Sequence, residues 1–352
     1  MRLTTALLCT ILSAIPAHAE ILIGIAGPLS GPNAAFGNEL RIGATAAITA
    51  LNTAGGINGE TLALVEGDDA CDAKRAIEIA KTFVSKDVRL VVGHFCSSAS
   101  LAAAPSYANS GVLMITPSAT APDLTSKSLW NVFRLTGRDD MQADLAAVRI
   151  KSSGEASEVL LLTDQQAETT PLARRFLASM PNAKTINVKA GGVKLPDDAA
   201  LLTASSAYLA LQATDAGNIA SDLKKLNPAI TLYGPDLLQS ESYGTKAGAA
   251  ANGTHITFPQ DLTTTADPKR LPALPSNVGS TLAAYAAVEA FAAAAKARSV
   301  NDSRAMATWL SGGNDVSTII GTIRFNATGD LQQQPYMWLQ WQGGALVPDP
   351  KP

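Results

Sequence analysis

The stretch from Gly93 to Thr125 constrains the fold more than any other part of the chain. Residues 90–92 and 112–115, at its start and middle, are short apolar runs bounded by helix and strand breakers, a pattern typical of strands buried on both faces of a parallel sheet. Small hydroxyl residues follow each run: Ser97 follows the first and Ser118 the second. Ligands of open α/β sheets bind at the carboxyl ends of the strands, so these hydroxyl groups predict a binding site there.

The segments around this stretch repeat one rhythm of strand and helix. Expected strands at 21–26 and 62–65 alternate with helices at 37–52 and after Asp72, which is placed to cap the second helix. This alternation predicts a parallel, doubly wound sheet. The rhythm restarts after Thr136 and predicts a second α/β lobe with helices at 141–151, 171–180 and 217–226, strands at 159–162, 186–189, 207–211 and 231–233, and a closing strand at 336–341.

Length and composition favour a two-domain globular protein. The chain has 352 residues, of which 47% are hydrophobic and 16% charged, so each half can bury a core of its own. Its formal net charge is −3, which leaves no basic surface for nucleic acid or anionic lipid. An alanine-rich stretch at 278–297 is simple in composition but favours helix, so we expect it to pack in a core.

The first 19 residues have the pattern of a secretory signal peptide. Arg2 supplies the positive start, residues 7–15 the apolar core, and Ala17-His18-Ala19 the cleavage site before Glu20. The apolar core is too short to span a bilayer, and Cys9 follows a leucine rather than the small residue that a lipoprotein signal requires. We therefore expect cleavage after Ala19 and export of a soluble protein to the periplasm.

Three cysteines occur in the chain, and Cys9 would leave with the signal peptide. The remaining two, Cys71 and Cys96, each follow a predicted strand of the same sheet, and an even pair in an oxidising compartment predicts a disulfide. The alternative is two separate buried thiols. The spacing does not suit a zinc site.

The sequence favours a binding protein over an enzyme. Beyond the signal peptide the only histidines are His94 and His255, and neither is accompanied by a recognisable nucleophile, catalytic motif or orienting acid. We interpret His94 as a structural residue. The acids Asp68, Asp69 and Asp72 sit where helix capping explains them, without the spacing of a calcium loop, so we predict neither metal nor cofactor.

Several motifs in order resemble a known family. These are the segments 27–32 (GPLSGP), 68–72 (DDACD), 93–98 (GHFCSS) and 111–125 (GVLMITPSATAPDLT), with weaker matches at 233–236 and 321–325. Together they resemble the periplasmic leucine/isoleucine/valine-binding proteins of ABC importers, most densely over residues 21–125. The resemblance implies a type I periplasmic binding fold: α/β, with two doubly wound parallel-sheet lobes joined by three hinge strands.

The resemblance also implies where the chain passes between the lobes. The crossings would lie near Thr136, Pro259 and Asn326. The first lobe would then contain residues 20–136 and 260–324, and the second lobe residues 137–259 and 325–352.

The ligand site that the resemblance implies lies between the lobes. Residues matching Ser97, Ser118, Ala119 and Thr120 hold the α-carboxylate and α-ammonium groups of an amino acid in this family. The residue-level alternative is that small hydroxyl residues here simply cap helices and turns.

Four further positions complete the implied site, and two of them depart from the family pattern. Asp236 stands where the family has a longer acid that pairs with the ammonium group, although a turn-forming role after Gly234-Pro235 is also open. Phe36 matches an aromatic residue at the cleft mouth. Glu168 and Gln212 stand where the family has tyrosines around the ligand side chain, which puts a branched aliphatic side chain in question.

These features predict a periplasmic, monomeric solute-binding protein that closes by hinge motion on a branched-chain or more polar amino acid and delivers it to an inner-membrane ABC permease. Two alternatives stay open. The ligand could be urea, a short amide, or an aromatic or other carboxylic acid, or the closed form could dock on a signalling partner instead of a permease.

Overall fold

The computed structural model describes residues 20–31, 33–127, 129–166, 169–191, 195, 200–270 and 279–349. Two parallel arrays of strands organise this part of the chain. The first is a five-stranded parallel sheet with the order β2-β1-β3-β4-β5. Its strands are β1 (Ile21–Gly27), β2 (Leu62–Asp68), β3 (Leu90–Gly93), β4 (Leu113–Thr116) and β5 (Val132–Arg134).

Helices connect these strands, as the sequence predicts. They are α1 (Ala34–Thr53), α2 (Ala73–Ser85), α3 (Ser97–Asn109) and the short α4 (Asp123–Ser126). Asp72 caps α2, since its carboxylate accepts hydrogen bonds from the backbone N–H groups of Lys74 and Arg75 at 2.9 and 2.8 Å. The strand order reverses between β1 and β3, which is the point where doubly wound sheets bind ligands.

The alanine-rich segment is a helix that packs against the first sheet. This helix, α10 (Gly279–Ala297), lies beside α1, and its residues are buried along most of its length. A Cβ atom on Gly43 of α1 would lie 2.1 Å from the carbonyl oxygen of Thr281. Glycine at position 43 therefore permits the close contact between the two helices.

The second sheet has seven strands in the order β7-β6-β8-β9-β10-β13-β14. Its first five strands are parallel and repeat the order of the first sheet, whereas β13 and β14 run antiparallel. These strands are β6 (Val159–Thr163), β7 (Lys184–Asn187), β8 (Ser206–Ala210), β9 (Thr231–Gly234), β10 (His255–Pro259), β13 (Tyr336–Gln342) and β14 (Ala345–Pro348). The prediction of two doubly wound parallel sheets is thus confirmed.

The helices of the second half are α5 (Met141–Ser152), α6 (Thr170–Ser179), α7 (Ala200–Thr203), α8 (Ala213–Leu226) and α9 (Glu241–Ala247). A further helix, α11 (Ser303–Ser311), and the hairpin of β11 (Val316–Thr318) and β12 (Gly321–Ile323) pack with the first core. The strand predicted at 186–189 begins two residues earlier, and the helix predicted at 217–226 begins at Ala213. The strands β10 and β14 and the helices α9 and α11 were not predicted.

The chain passes between the two cores near residues 135–140, 259–262 and 332–336. Phe325 and Leu331 pack in the first core, whereas Tyr336 opens a strand of the second sheet. None of the helices within the described ranges combines the length and apolarity that a membrane crossing requires. The predicted signal peptide and its cleavage site lie outside the described residues.

Candidate functional site

The loops that follow β2 and β3 are joined covalently. Cys71 and Cys96 form a disulfide with their Cα atoms 5.4 Å apart, which confirms the predicted pairing. Cys96 is the residue before α3, with an extended backbone conformation, and Ser97 is the first residue of the helix. The disulfide therefore fastens the N-terminal end of α3 to the loop after β2.

Hydroxyl side chains tie the loops after β3 and β4 together. The Ser97 Oγ accepts a hydrogen bond from the backbone N–H of Ala121 at 3.3 Å, and the Ser118 Oγ donates to the carbonyl oxygen of Phe95 at 2.9 Å. The backbone N–H of Ala119 donates to the Thr116 Oγ1 at 3.0 Å. We call Ser97, Ser118, Ala119 and Thr120 the first edge, since these bonds bring all four predicted residues to the carboxyl ends of β3 and β4.

A buried arginine that the sequence did not reveal supports the first edge from below. Arg134, at the end of β5, donates to the carbonyl oxygens of Ala119 at 2.9 Å and Ala121 at 3.1 Å. Its guanidinium group pairs with the buried carboxylate of Asp330 at 2.6 Å. Because a charge-assisted network holds these carbonyl groups, the loop after β4 is preorganised.

Phe36 lies at the start of α1, beside the first edge. Its ring stacks on Phe95 with a centroid distance of 4.8 Å and remains 42% exposed. An exposed aromatic pair of this kind offers apolar area to a ligand or to the facing part of the chain.

The second sheet presents a different set of groups at the carboxyl ends of its strands. Asp236 follows β9 and is half-buried; its carboxylate accepts from the Nε2 of Gln142 at 3.0 Å, and its backbone N–H donates to the Oε1 of Gln142 at 2.8 Å. The hydroxyl of Thr257 fixes the same Oε1 at 2.7 Å. Burial raises the pKa of Asp236, and the hydrogen bonds from Gln142 and from backbone N–H groups lower it less.

Gln212 lies at the end of β8, immediately before α8. Its backbone N–H donates to the Oδ2 of Asp164, a buried carboxylate at the end of β6, at 2.9 Å. The Thr169 hydroxyl donates to the other oxygen of Asp164 at 2.5 Å. We call Asp164, Gln212 and Asp236 the second edge. Glu168, the remaining predicted residue, lies outside the described residues.

Asp139 links the two edges and was not predicted. It lies in the segment that connects the two sheets, and its backbone N–H donates to the carbonyl oxygen of Thr120 at 3.2 Å. Burial raises the pKa of Asp139 to about 6; a hydrogen bond from the Thr120 side chain opposes this shift, and the charge of Asp236 adds to it. The segment 137–140 (GRDD) resembles an ordinary turn, so no local signal marked this residue.

Tyr336, at the start of β13, covers the same region. Its hydroxyl donates to the carbonyl oxygen of Arg138 at 3.0 Å. Burial raises its pKa, and the charges of Asp139 and Asp236 raise it further. A Cβ atom on Gly137 would lie 2.3 Å from the Tyr336 ring, so glycine there permits this contact.

The remaining sequence candidates have structural roles. The His94 Nδ1 hydrogen-bonds the Asp69 carboxylate at 2.6 Å, and its Nε2 hydrogen-bonds the Tyr107 hydroxyl at 3.0 Å, all three groups being buried. The Asp68 carboxylate accepts from the backbone N–H groups of Leu29 and Ala70. Within the described ranges, no group of histidine, cysteine, aspartate and glutamate side chains is arranged to hold a metal ion.

Comparison with known proteins gives a consistent result at the level of sequence. Leu/Ile/Val-binding protein BraC3 of Rhizobium johnstonii is 36% identical over 360 residues, an alignment that covers 98% of each chain. Sequence similarity therefore extends over both sheets and the segments between them.

Solved structures share the fold at lower identity. An ABC transporter substrate-binding protein from Desulfitobacterium hafniense in complex with Leu aligns with a TM-score of 0.70 at 22% identity, covering 94% of this chain and 100% of that chain. A solute-binding protein of an ABC transporter from R. palustris in complex with benzoate aligns with a TM-score of 0.60 at 19% identity, covering 94% and 95%. Residues 20–345 match the family described as periplasmic binding protein, and the chain therefore belongs to that family.

Proposed function

We propose that this protein binds an α-amino acid between the first and second edges and delivers it to an ABC permease in the inner membrane. One observation carries the proposal: the two edges have opposite chemistry. The first edge offers hydroxyl and backbone N–H groups at a helix start, whereas the second offers a half-buried carboxylate. A zwitterion is the class of small molecule that satisfies both edges at once.

The first edge suits the α-carboxylate of the ligand. Ser97 opens α3, a helix of 13 residues whose first backbone N–H groups have no partner within the helix. Together with the hydroxyl groups of Ser97 and Ser118, these N–H groups can surround an anionic oxygen, and the helix dipole favours negative charge there. The Arg134 network keeps this arrangement rigid before the ligand arrives.

The second edge suits the α-ammonium group. The Asp236 carboxylate keeps free acceptor capacity beyond its bond to Gln142, and in the described part of the chain it forms no ion pair. The Thr120 hydroxyl lies opposite, beside Asp139. A cation placed between them would form charge-assisted hydrogen bonds in a region shielded from water.

The side chain of the ligand would face Phe36 and the region of Gln212. BraC3 is named a Leu/Ile/Val-binding protein, but Gln212 and Glu168 supply polar groups where the resembling family has tyrosines. We propose a small amino acid, with an aliphatic side chain or one that can also hydrogen-bond.

An aromatic acid is the rival ligand, since one structural neighbour is described in complex with benzoate. A monoanion would leave Asp139 and Asp236 without a counter-charge and would place a third negative charge near them. This electrostatic cost favours the zwitterion over benzoate. A neutral amide or urea would avoid the repulsion but would leave both carboxylates uncompensated.

The remaining calls belong to the same proposal. Members of this family bind solutes rather than convert them, so no reaction is assigned. The protein would be exported after cleavage behind Ala19, act as a monomer in the periplasm, and close by hinge motion of the two lobes. We place the third crossing after Leu331 rather than near Asn326, because Phe325 and Leu331 pack in the first core. Docking on a signalling partner instead of a permease stays an alternative.

A thermal-shift panel tests the ligand class. The purified protein, freed of bound ligand by unfolding and refolding, is heated with L-leucine, L-isoleucine, L-valine, L-threonine, L-glutamine, benzoate or urea. A ligand at a hundredfold excess over its Kd adds about 2.7 kcal/mol to the free energy of unfolding, which shifts the melting temperature by several degrees. We expect a shift with at least one amino acid and none with benzoate or urea; the reverse pattern would refute the proposed ligand class.

A further inference from the structure

The two carboxylates at the centre of the site have no cationic partner within the described residues. The nearest arginines are already engaged: Arg134 pairs with Asp330 at 2.6 Å, and Arg138 pairs with Asp140 at 2.8 Å and with Asp330 at 3.3 Å. Asp139 and Asp236 instead accept hydrogen bonds from neutral groups, the hydroxyl of Thr120 and the amide of Gln142. Hydrogen bonds from neutral groups stabilise a carboxylate less than an ion pair does.

We propose that Asp139 and Asp236 share a proton before the ligand binds, and that the ammonium group of the ligand displaces this proton. The inference rests on the proposed function, since it requires a cationic group at this position. The exchange balances: the ligand brings one positive charge to the pair, and one proton leaves the pair for the solvent.

The surroundings of Asp139 explain why it holds the proton. The groups that act on it are the Thr120 hydroxyl, the charges of Asp236 and Asp140, and the Arg134 guanidinium, while the Tyr336 ring covers the pair from β13. Arg134 favours the ionised form, but its charge is spent largely on Asp330. Two like charges in a water-poor region cannot both ionise freely, so one carboxyl group keeps its proton to higher pH.

The buried tyrosines nearby show that the region behind Asp236 is poor in water. The Tyr208 hydroxyl is fully buried, and burial followed by the charges of Asp236 and Asp144 raises its pKa well above the usual value. Burial and the same Asp236 charge act on Tyr336. Electrostatic interactions in such surroundings are screened weakly, so an arriving cation would lower the proton affinity of the pair strongly.

The sign of the effect follows from linkage. Burial holds the pKa of Asp139 at about 6 before binding, and a neighbouring ammonium group would lower it. The complex then binds fewer protons than the free protein, so affinity rises with pH until the free pair is ionised. We expect the Kd to fall by about tenfold from pH 5 to pH 7 and to change little above pH 7, with about half a proton released per ligand at pH 6.

Isothermal titration calorimetry in several buffers measures the released protons. The tightest binder among the five amino acids of the panel is titrated at pH 6 in phosphate and in Bis-Tris, whose ionisation enthalpies differ, and again at pH 8. We expect the observed enthalpy to depend on the buffer at pH 6 and not at pH 8. If the ligand binds at both pH values with no buffer dependence at pH 6, the proton exchange is refuted while the proposed function stands. If none of the five binds at pH 8, the proposed function itself fails.

Two variants assign the proton. Asp139→Asn should abolish the buffer dependence at pH 6 and flatten the change of Kd between pH 5 and pH 7. Asp144→Asn is the matched control: Asp144 lies on the adjacent helix and pairs with Arg175, so both effects should persist. Proton release that survives in Asp139→Asn would overturn the assignment. Should this variant fail to fold, the buffer series on the unmodified protein still decides whether a proton is exchanged.

Discussion

The first and second edges face each other but are built in different ways. On the first edge, hydroxyl and carbonyl groups bond to loops of the same sheet, and the buried Arg134 holds the backbone from below. On the second edge, the Asp236 carboxylate is held by one glutamine from α5 and carries a charge that burial disfavours. The contrast indicates that the first edge is a rigid receptor for a group common to all amino acids, whereas the second edge decides which charge and side chain are accepted.

Asp236→Asn should have the largest effect on binding. The substitution keeps the shape but removes the charge that faces the ammonium group, which would cost about 2 to 5 kcal/mol of binding free energy. Calorimetry with the best ligand of the panel at pH 8 measures the loss. Asp222→Asn, an exposed acid on α8 that pairs with Lys225, serves as control and should bind normally. A loss of less than threefold in Asp236→Asn would count against an ammonium group at the second edge.

Removal of the disulfide should affect stability more than ligand choice. Cys71 and Cys96 are 25 residues apart, and a loop of this length is worth about 3 to 4 kcal/mol in the chain-entropy account. Because the bridge fastens only the first edge, we expect the double variant Cys71→Ser/Cys96→Ser to melt at a lower temperature and to rank the ligands of the panel in the same order. A changed ranking would show that the first edge also sets specificity.

Ser97→Ala and Thr120→Val probe the hydroxyl groups of the first edge. A hydrogen bond to a charged group contributes about 1.5 to 3 kcal/mol, so each substitution should weaken binding by roughly ten- to a hundredfold. Ser98→Ala is the matched control, since Ser98 is the exposed neighbour in the same helical turn. Affinities equal to that of the control in both variants would remove these hydroxyl groups from the site.

Gln212→Leu should have the smallest effect and should change preference rather than affinity for all ligands. The loss of the amide leaves the backbone bond to Asp164 in place, so the loop should keep its position. We expect binding of leucine to improve relative to that of threonine or glutamine, by about 0.5 to 1.5 kcal/mol, the value of one hydrogen bond. Direct comparison of the Kd values for the three amino acids measures the change. An unaltered ratio would show that Gln212 does not contact the ligand side chain.

The fold could be predicted from sequence where each element carries its own signal. The buried strands β3 and β4 are continuous apolar runs, and α2 has both a cap residue and an apolar face. The edge strand β7 has three exposed residues out of four, which shows no clear period and explains its displacement. The strand β10 pairs with β13, a segment about 80 residues away, so its extended conformation depends on a partner that local pattern does not reveal.

The candidate site divides in the same way. Ser97, Ser118 and Thr120 follow recognisable strands, so their common location follows from the rule that parallel strands end at one edge. Gln142 meets Asp236 across 94 residues of sequence, and Arg134 meets Asp330 across a greater distance. Asp139 carries no local mark at all. These contacts arise only when the two sheets are placed side by side, which explains why the sequence did not predict them.

The central claim is that one ligand is held by its carboxylate at the first edge and by its ammonium group at the second. Calorimetric titration of the unmodified protein at pH 8 with three related molecules tests it directly: L-leucine, L-leucinamide, which lacks the carboxylate, and 4-methylpentanoate, which lacks the ammonium group. We expect saturable binding of leucine and at least a hundredfold weaker binding of both analogues, because each leaves one edge without its partner. Binding of 4-methylpentanoate as tight as that of leucine would contradict the account, since the second edge would then have no cation to recognise.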